Sequence, residues 1–310
     1  MITASIIIST KNRPHDLIKC LDSLINQTYP ILELIIIDAG DKELYDIINN
    51  FKELIDIKYI RCKTSLTAAR NIGIQRSNGN VIIFLDDDVV LDNRFIYFII
   101  NVFEIYGNNV GAVCGNIVND EIAGRGFSIF INNPILRRIR NSIFRLFFLY
   151  CWNDGKFQPS GMPTYPSRNK GISFIECLPG ANMAFRKEVL DKIKFDEKLH
   201  GYCFMEDCDI SYRVLKQYKI IYSPFAELYH NFSPASRDSD RLRMKMLIES
   251  HYYLFNKNFP HTFYNNLAFR VSSFGLFFIS LIQLNFEEMK GLFIGLKTIF
   301  LEKFKRHEFA

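Results

Sequence analysis

Short apolar segments alternate with helical patterns along the first hundred residues, and no other feature of the sequence constrains the fold as strongly. Residues 4–9, 33–37, 57–61 and 81–85 have the length and the β-branched content of buried strands. Apolar residues at helical spacing fill residues 14–26, 44–51, 66–76 and 93–106. Strands and helices in alternation form βαβ units. The sequence therefore predicts an α/β fold whose central sheet is mainly parallel and flanked by helices.

Polar residues follow three of these strands at the points where the strands end. The first strand leads into Thr10, Asn12 and Arg13, the second into Asp38, and the fourth into the triplet Asp86-Asp87-Asp88. In open α/β sheets, ligands bind outside the carboxyl ends of the strands. We therefore expect the functional site at this rim of the sheet.

The triplet predicts a divalent metal ion. Three consecutive carboxylates repel one another, and this repulsion raises their pKa values unless a cation lies between them. Carboxylate oxygens are suitable ligands for Mg²⁺ or Mn²⁺. Alternate residues of an extended segment share a face, so we expect Asp86 and Asp88 to address one ligand while Asp87 points elsewhere. The alternative is a solvated acidic turn.

The triplet is compatible with two kinds of enzyme. Nucleotide-sugar transferases carry an Asp-x-Asp motif. Metal-dependent phosphatases of the haloacid dehalogenase type carry Asp-x-Asp-x-Thr/Val, which residues 86–90 also match. The phosphatase motif normally follows the first strand of its sheet, whereas this triplet follows the fourth. The triplet alone leaves both interpretations open.

Several other function classes are not expected. The chain has no phosphate-binding loop pattern, no G-x-G-x-x-G after the first strand and no nucleophile elbow, which argues against a kinase, a dehydrogenase or a hydrolase. A net charge of +5 over 310 residues is too small to indicate nucleic-acid binding. The 7 cysteines are scattered without a zinc-type cluster, and no secretory signal precedes the first strand. We therefore expect reduced core thiols and a cytoplasmic protein.

Further short motifs follow in order along the chain. Ala69-Arg70-Asn71-Ile72-Gly73 lies in a helix, Gly180-Ala181-Asn182 precedes an apolar run, Glu206-Asp207 begins a helix, and His230 lies within Leu-Tyr-His-Asn-Phe-Ser. Together with the strand-end residues, this ordered set resembles the family 2 glycosyltransferases of the GT-A fold, over about residues 3–235. The resemblance implies a Rossmann-like catalytic domain that uses a nucleotide-diphosphate sugar.

The resemblance also implies roles at the donor site. Thr10 and Asp38 would contact the nucleotide, and Arg70 would lie near its base or diphosphate. Asn182 would lie beside the transferred sugar. The remaining matches at this site are Asn12, Arg13, Asp87 and Glu206.

The same resemblance implies a metal site and a base. Asp88 would bind Mn²⁺ or Mg²⁺ directly, Asp86 would hold the ribose or the water shell of the metal, and His230 would complete the metal site. Asp207 would be the general base that accepts the proton of the acceptor hydroxyl. One base without a second nucleophilic carboxylate implies a single displacement with inversion. UDP is the expected nucleotide, since it is usual in the family, where dTDP and GDP donors also occur.

Each of these roles has a structural alternative. Asp38 could be a helix cap, since the chain reads Asp38-Ala39-Gly40-Asp41 where the family usually has Asp-Asp-x-Ser. The acidic pair at 206–207 could serve only the helix dipole. His230 could be structural, and Arg13 could be a surface charge.

The rest of the chain predicts a second region. We expect a catalytic domain at residues 1–236, with a nucleotide-binding half at 1–118 and an acceptor-binding half at 119–236, followed by a helical apolar region at 237–310. A basic amphipathic helix at about 134–150, within an insertion at 124–153, is typical either of a membrane surface or of a packed helix with solvated arginines. The 16 uncharged residues between Arg270 and Glu287 fall short of a bilayer span and favour peripheral membrane contact or a homodimer face.

These regions suggest a glycan or lipid-linked glycan as acceptor, in the biosynthesis of a cell-surface polysaccharide or glycolipid at the cytoplasmic face of the membrane. A non-catalytic protein that binds nucleotide-sugars at a membrane is a further alternative.

Overall fold

We describe the computed structural model of the chain over residues 1–119, 142, 147, 155–166, 171–199, 203–235 and 238–307, with residues 302–307 described by backbone only. The predicted insertion at 124–153 and its basic helix lie outside the described residues, apart from Ser142 and Phe147. The strands are β1 (Ala4–Thr10), β2 (Ile31–Asp38), β3 (Ile57–Arg61), β4 (Val81–Asp86), β5 (Val89–Leu91), β6 (Val110–Ile117), β7 (Ser173–Ile175), β8 (Asn182–Arg186) and β9 (Lys219–His230).

The helices are α1 (Pro14–Ile25), α2 (Tyr45–Phe51), α3 (Leu66–Arg76), α4 (Phe95–Tyr106), α5 (Lys187–Lys192), α6 (Glu206–Leu215), α7 (Asp240–Asn258), α8 (Phe263–Ile282) and α9 (Phe286–His307). Local chemistry explains where several of them begin. Helix α1 starts at a proline. The N–H groups of a first helical turn have no acceptor within the helix, so the lack of an N–H on proline costs no hydrogen bond there. Helix α3 starts after Ser65, whose hydroxyl accepts the N–H of Ala68.

Within the described residues, the strands form one sheet in the order β3-β2-β1-β4-β8-β6-β9-β5, with β7 paired to β9. Strands β3, β2, β1 and β4 are parallel, which confirms the predicted βαβ half. The other half is mixed, because β8 runs antiparallel to both β4 and β6 while β6 and β9 are parallel. The predicted α/β fold class is confirmed.

The sequence did not reveal the short strands β5, β7 and β8, and it placed the end of β9 too early. Pro224 suggests a strand end, because proline cannot donate to the ladder of a central strand. Strand β9 nevertheless continues to His230, and its pairing with β6 shifts register between Cys114 and Asn116. This irregularity accommodates the proline within the strand.

Two apolar layers cover the two faces of the sheet. Ile6 and Ile8 of β1 pack in one layer, whereas Ile7 packs in the other, as the period of a strand requires. The first layer includes residues of α1, α2 and α4, and the second includes residues of α3, α5 and α6. The six described cysteines are free thiols and five are buried, as expected for core residues.

The chain divides into two compact units. The first comprises residues 1–120, 165–200 and 206–237 and holds the sheet, and the second comprises residues 121–164, 201–205 and 238–310 and holds helices α7 to α9. In the second unit, Gly291, Leu292 and Gly295 lie on the side of α9 that packs against α7. By length and composition, α8 is the single helix in the described part of the chain that could cross a membrane.

Candidate active site

Sheet register brings three polar side chains of the first unit together. Strand β4 ends at Asp86, the chain turns at residues 87–88, and β5 then pairs antiparallel with β9, so that Val89 is opposite His230. The possible ligand atoms of Asp86, Asp88 and His230 all lie within 4.8 Å of one another. Asp87 does not belong to this group, and its carboxylate bonds to Thr10 and Arg13 instead.

These three side chains suit a divalent cation. The Oδ1 atom of Asp88 is buried and lies 3.0 Å from Nε2 of His230. Burial of a carboxylate is costly unless cations or hydrogen-bond donors compensate it, and a metal ion among these three side chains would add such a cation. Two carboxylates with one imidazole form a mixed oxygen and nitrogen donor set, which Mn²⁺ accepts.

Asp87, the middle residue of the triplet, belongs to a second cluster of polar residues at the end of β1. Asp87 Oδ2 accepts a hydrogen bond of 2.7 Å from the Thr10 hydroxyl, and Asp87 Oδ1 accepts one of 3.1 Å from Arg13. The Arg13 guanidinium also lies 3.6 Å from Asp88 and donates to the carbonyl of Ala235. Arg13 is therefore part of the site and is not a free surface charge.

A buried arginine connects the triplet to the acidic pair at the start of α6. Nη1 of Arg70 lies 2.5 Å from Oε1 of Glu206, and Nη2 lies 3.5 Å from Oδ1 of Asp86. Nη2 also donates to the carbonyl of Gly180. Arg70 is only 3% exposed, and its guanidinium lies over the rings of Phe84 and Phe195. One cation thus serves two carboxylates that come from distant parts of the chain.

Asp207 is held by neutral donors. Its Oδ2 atom accepts hydrogen bonds of 2.9 Å from the Tyr165 hydroxyl and 3.1 Å from the N–H of Gly180. Its Oδ1 atom accepts the N–H of Cys208 at 2.8 Å. No described cation forms an ion pair with Asp207, whereas its neighbour Glu206 is paired with Arg70.

Burial and neighbouring charges shift the pKa values of these acids in different directions. Burial raises the pKa of Glu206 to about 7, with a further rise from Asp207, although Arg70 opposes it. Desolvation also raises the pKa of Asp86, against the opposing effects of Arg70 and His230. Burial alone would raise the pKa of Asp88, but His230, the N–H of Ser233 and Arg13 outweigh it, so that this pKa lies below its ordinary value.

Asp87 is the fourth acid of the group, and burial raises its pKa to about 7 despite Arg13 and Thr10. These shifts in opposite directions are the usual result of crowding carboxylates around a few fixed cations, and such crowding is common at functional sites.

Asp38 and Asn12 shape the loops at the ends of β1 and β2. The buried Asp38 carboxylate accepts the N–H of Gly40 at 2.7 Å and the hydroxyl of Tyr59 at 2.6 Å. Asn12 has a left-handed backbone with φ of 56° and exchanges two hydrogen bonds with Asp41. Asp38 does not cap a helix, because α2 begins only at Tyr45.

Asn182 lies inside the sheet at the edge of the acidic group. It is the first residue of β8, paired with Leu85, and its Oδ1 atom accepts the N–H of Gly115 at 2.5 Å. Its Nδ2 atom is buried and has no hydrogen-bond partner among the described residues. The predicted loop at residues 180–182 therefore ends where a strand begins.

Sequence reasoning missed three groups that position the site. They are the Tyr165 hydroxyl, the Tyr59 hydroxyl and the N–H of Ser233, which donates to Asp88 Oδ2 at 2.8 Å. Tyr165 lies between Pro163 and Pro166 in a stretch without periodicity. Its contact with Asp207 spans 42 residues, and no local pattern could have indicated it.

Comparisons with known proteins find similarity to glycosyltransferases. The family model for glycosyl transferase family 2 matches residues 5–193. Chondroitin synthase from Pasteurella multocida (strain Pm70) is 25% identical over 287 residues, which cover 84% of this chain and 28% of the synthase. The chain spans between 14% and 28% of the length of three such curated relatives.

Solved structures establish the GT-A fold. The mannosyltransferase PcManGT from Pyrobaculum calidifontis, in complex with GDP-Man and Mn²⁺, superposes with a TM-score of 0.59 at 12% identity, covering 96% of this chain and 86% of that one. S. aureus TarS 1-349, in complex with UDP-GlcNAc, has a TM-score of 0.56 at 12% identity, covering 89% of this chain and 72% of that one.

Proposed function

This chain is a glycosyltransferase that belongs to family 2, and we propose that it moves a sugar from a nucleotide diphosphate to an acceptor hydroxyl with inversion at the anomeric carbon. The family membership sets aside the phosphatase and the non-catalytic alternatives. The observation that carries the proposal is the pairing of two acidic groups through Arg70. One group, Asp86 with Asp88 and His230, suits a metal ion, and the other, Glu206 with Asp207, suits a general base.

We propose that Asp88, Asp86 and His230 hold a divalent cation, Mn²⁺ or Mg²⁺, because two of the three ligands are carboxylates. When bound, such an ion neutralises the diphosphate leaving group as a Lewis acid. The Mn²⁺ in the PcManGT complex supports a metal of this kind. His230 and Arg13 hold the two oxygens of Asp88 in place before any ligand arrives.

The donor is proposed to be a nucleotide-diphosphate sugar, with UDP as the expected nucleotide. The complexes of TarS with UDP-GlcNAc and of PcManGT with GDP-Man support this class. Thr10, Asn12, Arg13 and Asp38 lie at the ends of β1 and β2, where parallel sheets bind nucleotides. The Asp38 carboxylate accepts the N–H of Gly40 and the Tyr59 hydroxyl, and a carboxylate has further lone pairs with which it could accept a hydrogen bond from the base.

Asp207 is proposed as the general base. The proton of the acceptor hydroxyl passes to its carboxylate as the acceptor oxygen forms its bond to the anomeric carbon and the bond to the diphosphate breaks. Glu206 is less suited to this role because its carboxylate is paired with Arg70. A single displacement inverts the anomeric centre, and a positioned base contributes about 10²–10⁴ to its rate.

The buried Nδ2 atom of Asn182 is proposed as a donor to a hydroxyl of the transferred sugar. Its Oδ1 atom is held by Gly115, so the amide orientation is set before the sugar binds. A buried N–H group without a partner is costly in the free protein, and a sugar hydroxyl would relieve that cost.

The acceptor is proposed to be a glycan or a lipid-linked glycan, in the synthesis of a cell-surface polysaccharide or glycolipid at the cytoplasmic face of the membrane. The similarity to a chondroitin synthase supports a polysaccharide product. The exposed apolar surface of helices α8 and α9 supports a location at a membrane.

Calorimetric titration with UDP, dTDP and GDP, with and without Mn²⁺, tests the donor site. We expect Mn²⁺-dependent binding of one nucleotide, and we expect Asp88→Ala to abolish the dependence on metal. Asp46→Ala is the matched control, because Asp46 is an exposed acid in the first turn of α2 and lies outside the metal cluster. Binding of no nucleotide by the folded protein would contradict the proposed function.

A further inference from the structure

Several large apolar side chains of helix α9 are exposed to solvent, although this helix packs against α7 on its other side. Its packed side holds the small residues Gly291 and Gly295, and an alanine at Gly291 would clash with the carbonyl oxygen of Arg241 on α7. Its outer side exposes Phe286, Phe293 and Phe300, with Phe293 64% exposed. The close backbone approach at Gly291 and Gly295 leaves Leu292 as the fully buried large side chain of this helix among the described residues, and the three phenylalanines face solvent.

The exposed residues of α9 form a regular stripe. Phe286, Lys290, Phe293, Lys297 and Phe300 are spaced by four and three residues, so they follow one face of the helix, and all five are exposed. We call these five residues the α9 stripe. It alternates aromatic rings with ammonium groups and contains no acid. Lys290 is paired with Glu287, whereas Lys297 forms no ion pair with any described side chain.

Helix α8 and the turn after it also expose apolar side chains. Phe263, Leu267, Arg270 and Phe274 are exposed and are again spaced by four and three residues. Leu284, in the turn between α8 and α9, is 70% exposed. Scattered exposed apolar residues are normal in soluble proteins, but a regular stripe of exposed aromatic residues such as that of α9 marks a candidate binding surface.

We propose that the outer face of the α8–α9 hairpin docks on an anionic lipid surface, with the α9 stripe at the headgroup level. Phenylalanine rings would enter the boundary between headgroups and acyl chains, and Lys297 would reach the lipid phosphates. This proposal concerns the second unit alone and does not depend on the proposed reaction.

The charges of the surface favour lipid over a second copy of the chain. In a symmetric dimer the same patch meets itself, so Lys297 and Arg270 would be buried against a surface whose stripes contain cations and no acid. Burial of unpaired charge is costly. An anionic bilayer instead supplies the complementary charge, and it lets each cation remain hydrated.

The same charges favour docking over a bilayer span. Arg270 lies near the middle of α8, and α9 carries Glu287, Glu288, Lys290 and Lys297 along its length. Charged side chains within the hydrocarbon core are strongly disfavoured. A helix with aromatic residues and cations on one exposed face lies in the interface plane.

Sedimentation of the full chain with vesicles tests the proposal. We expect binding to phosphatidylcholine vesicles with about 30% phosphatidylglycerol and at least about tenfold weaker binding to pure phosphatidylcholine. Lys297→Glu changes the local charge by two, which should weaken binding about 25-fold at low salt. Phe293→Ser with Phe300→Ser should weaken it at least about tenfold, because the binding strength scales with buried apolar area.

Two control variants separate this surface from general effects of charge and exposed aromatic residues. Phe225→Ser removes a ring that is 56% exposed on β9, and Lys52→Glu reverses an exposed charge after α2; both should bind vesicles like the wild type. Circular dichroism melts and nucleotide titration report whether each variant is folded and whether its donor site is intact. Loss of vesicle binding with intact nucleotide binding would separate this surface from the proposed reaction.

Four results would overturn the proposal. The folded wild type could remain in the supernatant with anionic vesicles, or the α9 variants could bind as well as the wild type. A dimer in light scattering that the double phenylalanine variant dissociates, without vesicle binding, would assign the face to a second copy. Membrane association that resists both high salt and alkaline carbonate would indicate a span.

Discussion

Removal of the Arg70 guanidinium should destabilise the protein by an amount that depends on pH. Arg70→Met leaves Glu206 and Asp86 without their shared cation and leaves the Gly180 carbonyl without its donor. Loss of one partner of a buried ion pair costs about 3–5 kcal/mol. Glu206 can limit this cost by binding a proton, since burial already raises its pKa to about 7 in the wild type.

The pH dependence follows from the protons bound by Glu206. A raised pKa in the folded state means that the stabilising effect is present at low pH and is lost as pH rises through the folded pKa. Between about pH 6 and pH 8 the wild type loses this proton near the middle of the range, which lowers its stability by about 1 kcal/mol. The variant, whose Glu206 pKa is higher still, keeps the proton throughout and loses about twice as much.

We therefore expect the effect of Arg70→Met on the free energy of unfolding to be about 3 kcal/mol near pH 6 and about 1 kcal/mol larger near pH 8. Urea unfolding without added metal measures both values. Arg76→Met is the matched control, because Arg76 is an exposed arginine of the same helix, and it should change stability by less than about 0.5 kcal/mol.

In a Glu206→Gln background, the loss of stability caused by Arg70→Met should no longer increase with pH, because glutamine does not titrate. A loss below about 1 kcal/mol, or a loss that is equal at the two pH values, would refute the reasoning about this buried pair.

Three further predictions concern other parts of the chain. Asp207→Asn should keep nucleotide affinity and lower kcat by about 10²–10⁴ in a sugar-transfer assay; full activity would exclude Asp207 as the base. Burial lowers the pKa of His251 from 6.5 to about 4, so acid should remove about 3 kcal/mol of stability as pH falls from about 6.5 to 4, and His251→Gln should flatten that pH profile in urea titrations. Gly291→Ala should lower stability by about 1–3 kcal/mol through its clash with Arg241, whereas Gly171→Ala, with open space around it, should leave the melting temperature unchanged.

The sign of the His251 prediction follows from the hydrogen bonds of the ring. Its Nε2 atom lies 2.7 Å from the Ser160 carbonyl oxygen, and its buried Nδ1 atom has no hydrogen-bond partner among the described residues. The folded protein therefore holds the neutral ring, and the unfolded chain binds more protons between the two pKa values. Stability is fully present above the unfolded pKa and is lost as pH falls toward the folded one.

The local sequence pattern was sufficient to predict the parallel half of the sheet. The apolar runs that become β1, β2 and β4 are predicted within one to two residues of their ends, because a buried strand needs continuous apolar residues and a helix needs its own period. The sequence also places the acidic triplet correctly at the end of β4. The rule that ligands bind outside the carboxyl ends of strands needs only the direction of the chain.

Strand pairing between distant segments was not visible in the sequence. Strand β8 has only five residues, and it separates β4 from β6 in the sheet although it follows both in the chain. Its direction makes this half of the sheet mixed. Such pairing is decided by packing of the whole sheet, because a short apolar run fits a strand in either direction.

The sequence by itself determined which residues could do chemistry: the triplet, the acidic pair at the start of α6, Arg70 and His230. Only the tertiary structure decided what each one meets. Arg70 and Glu206 are 136 residues apart, and the contact between Tyr165 and Asp207 has no local signal. Residue type sets what a side chain can bind, whereas its partner and its pKa depend on desolvation and on charges that folding brings near from elsewhere in the chain.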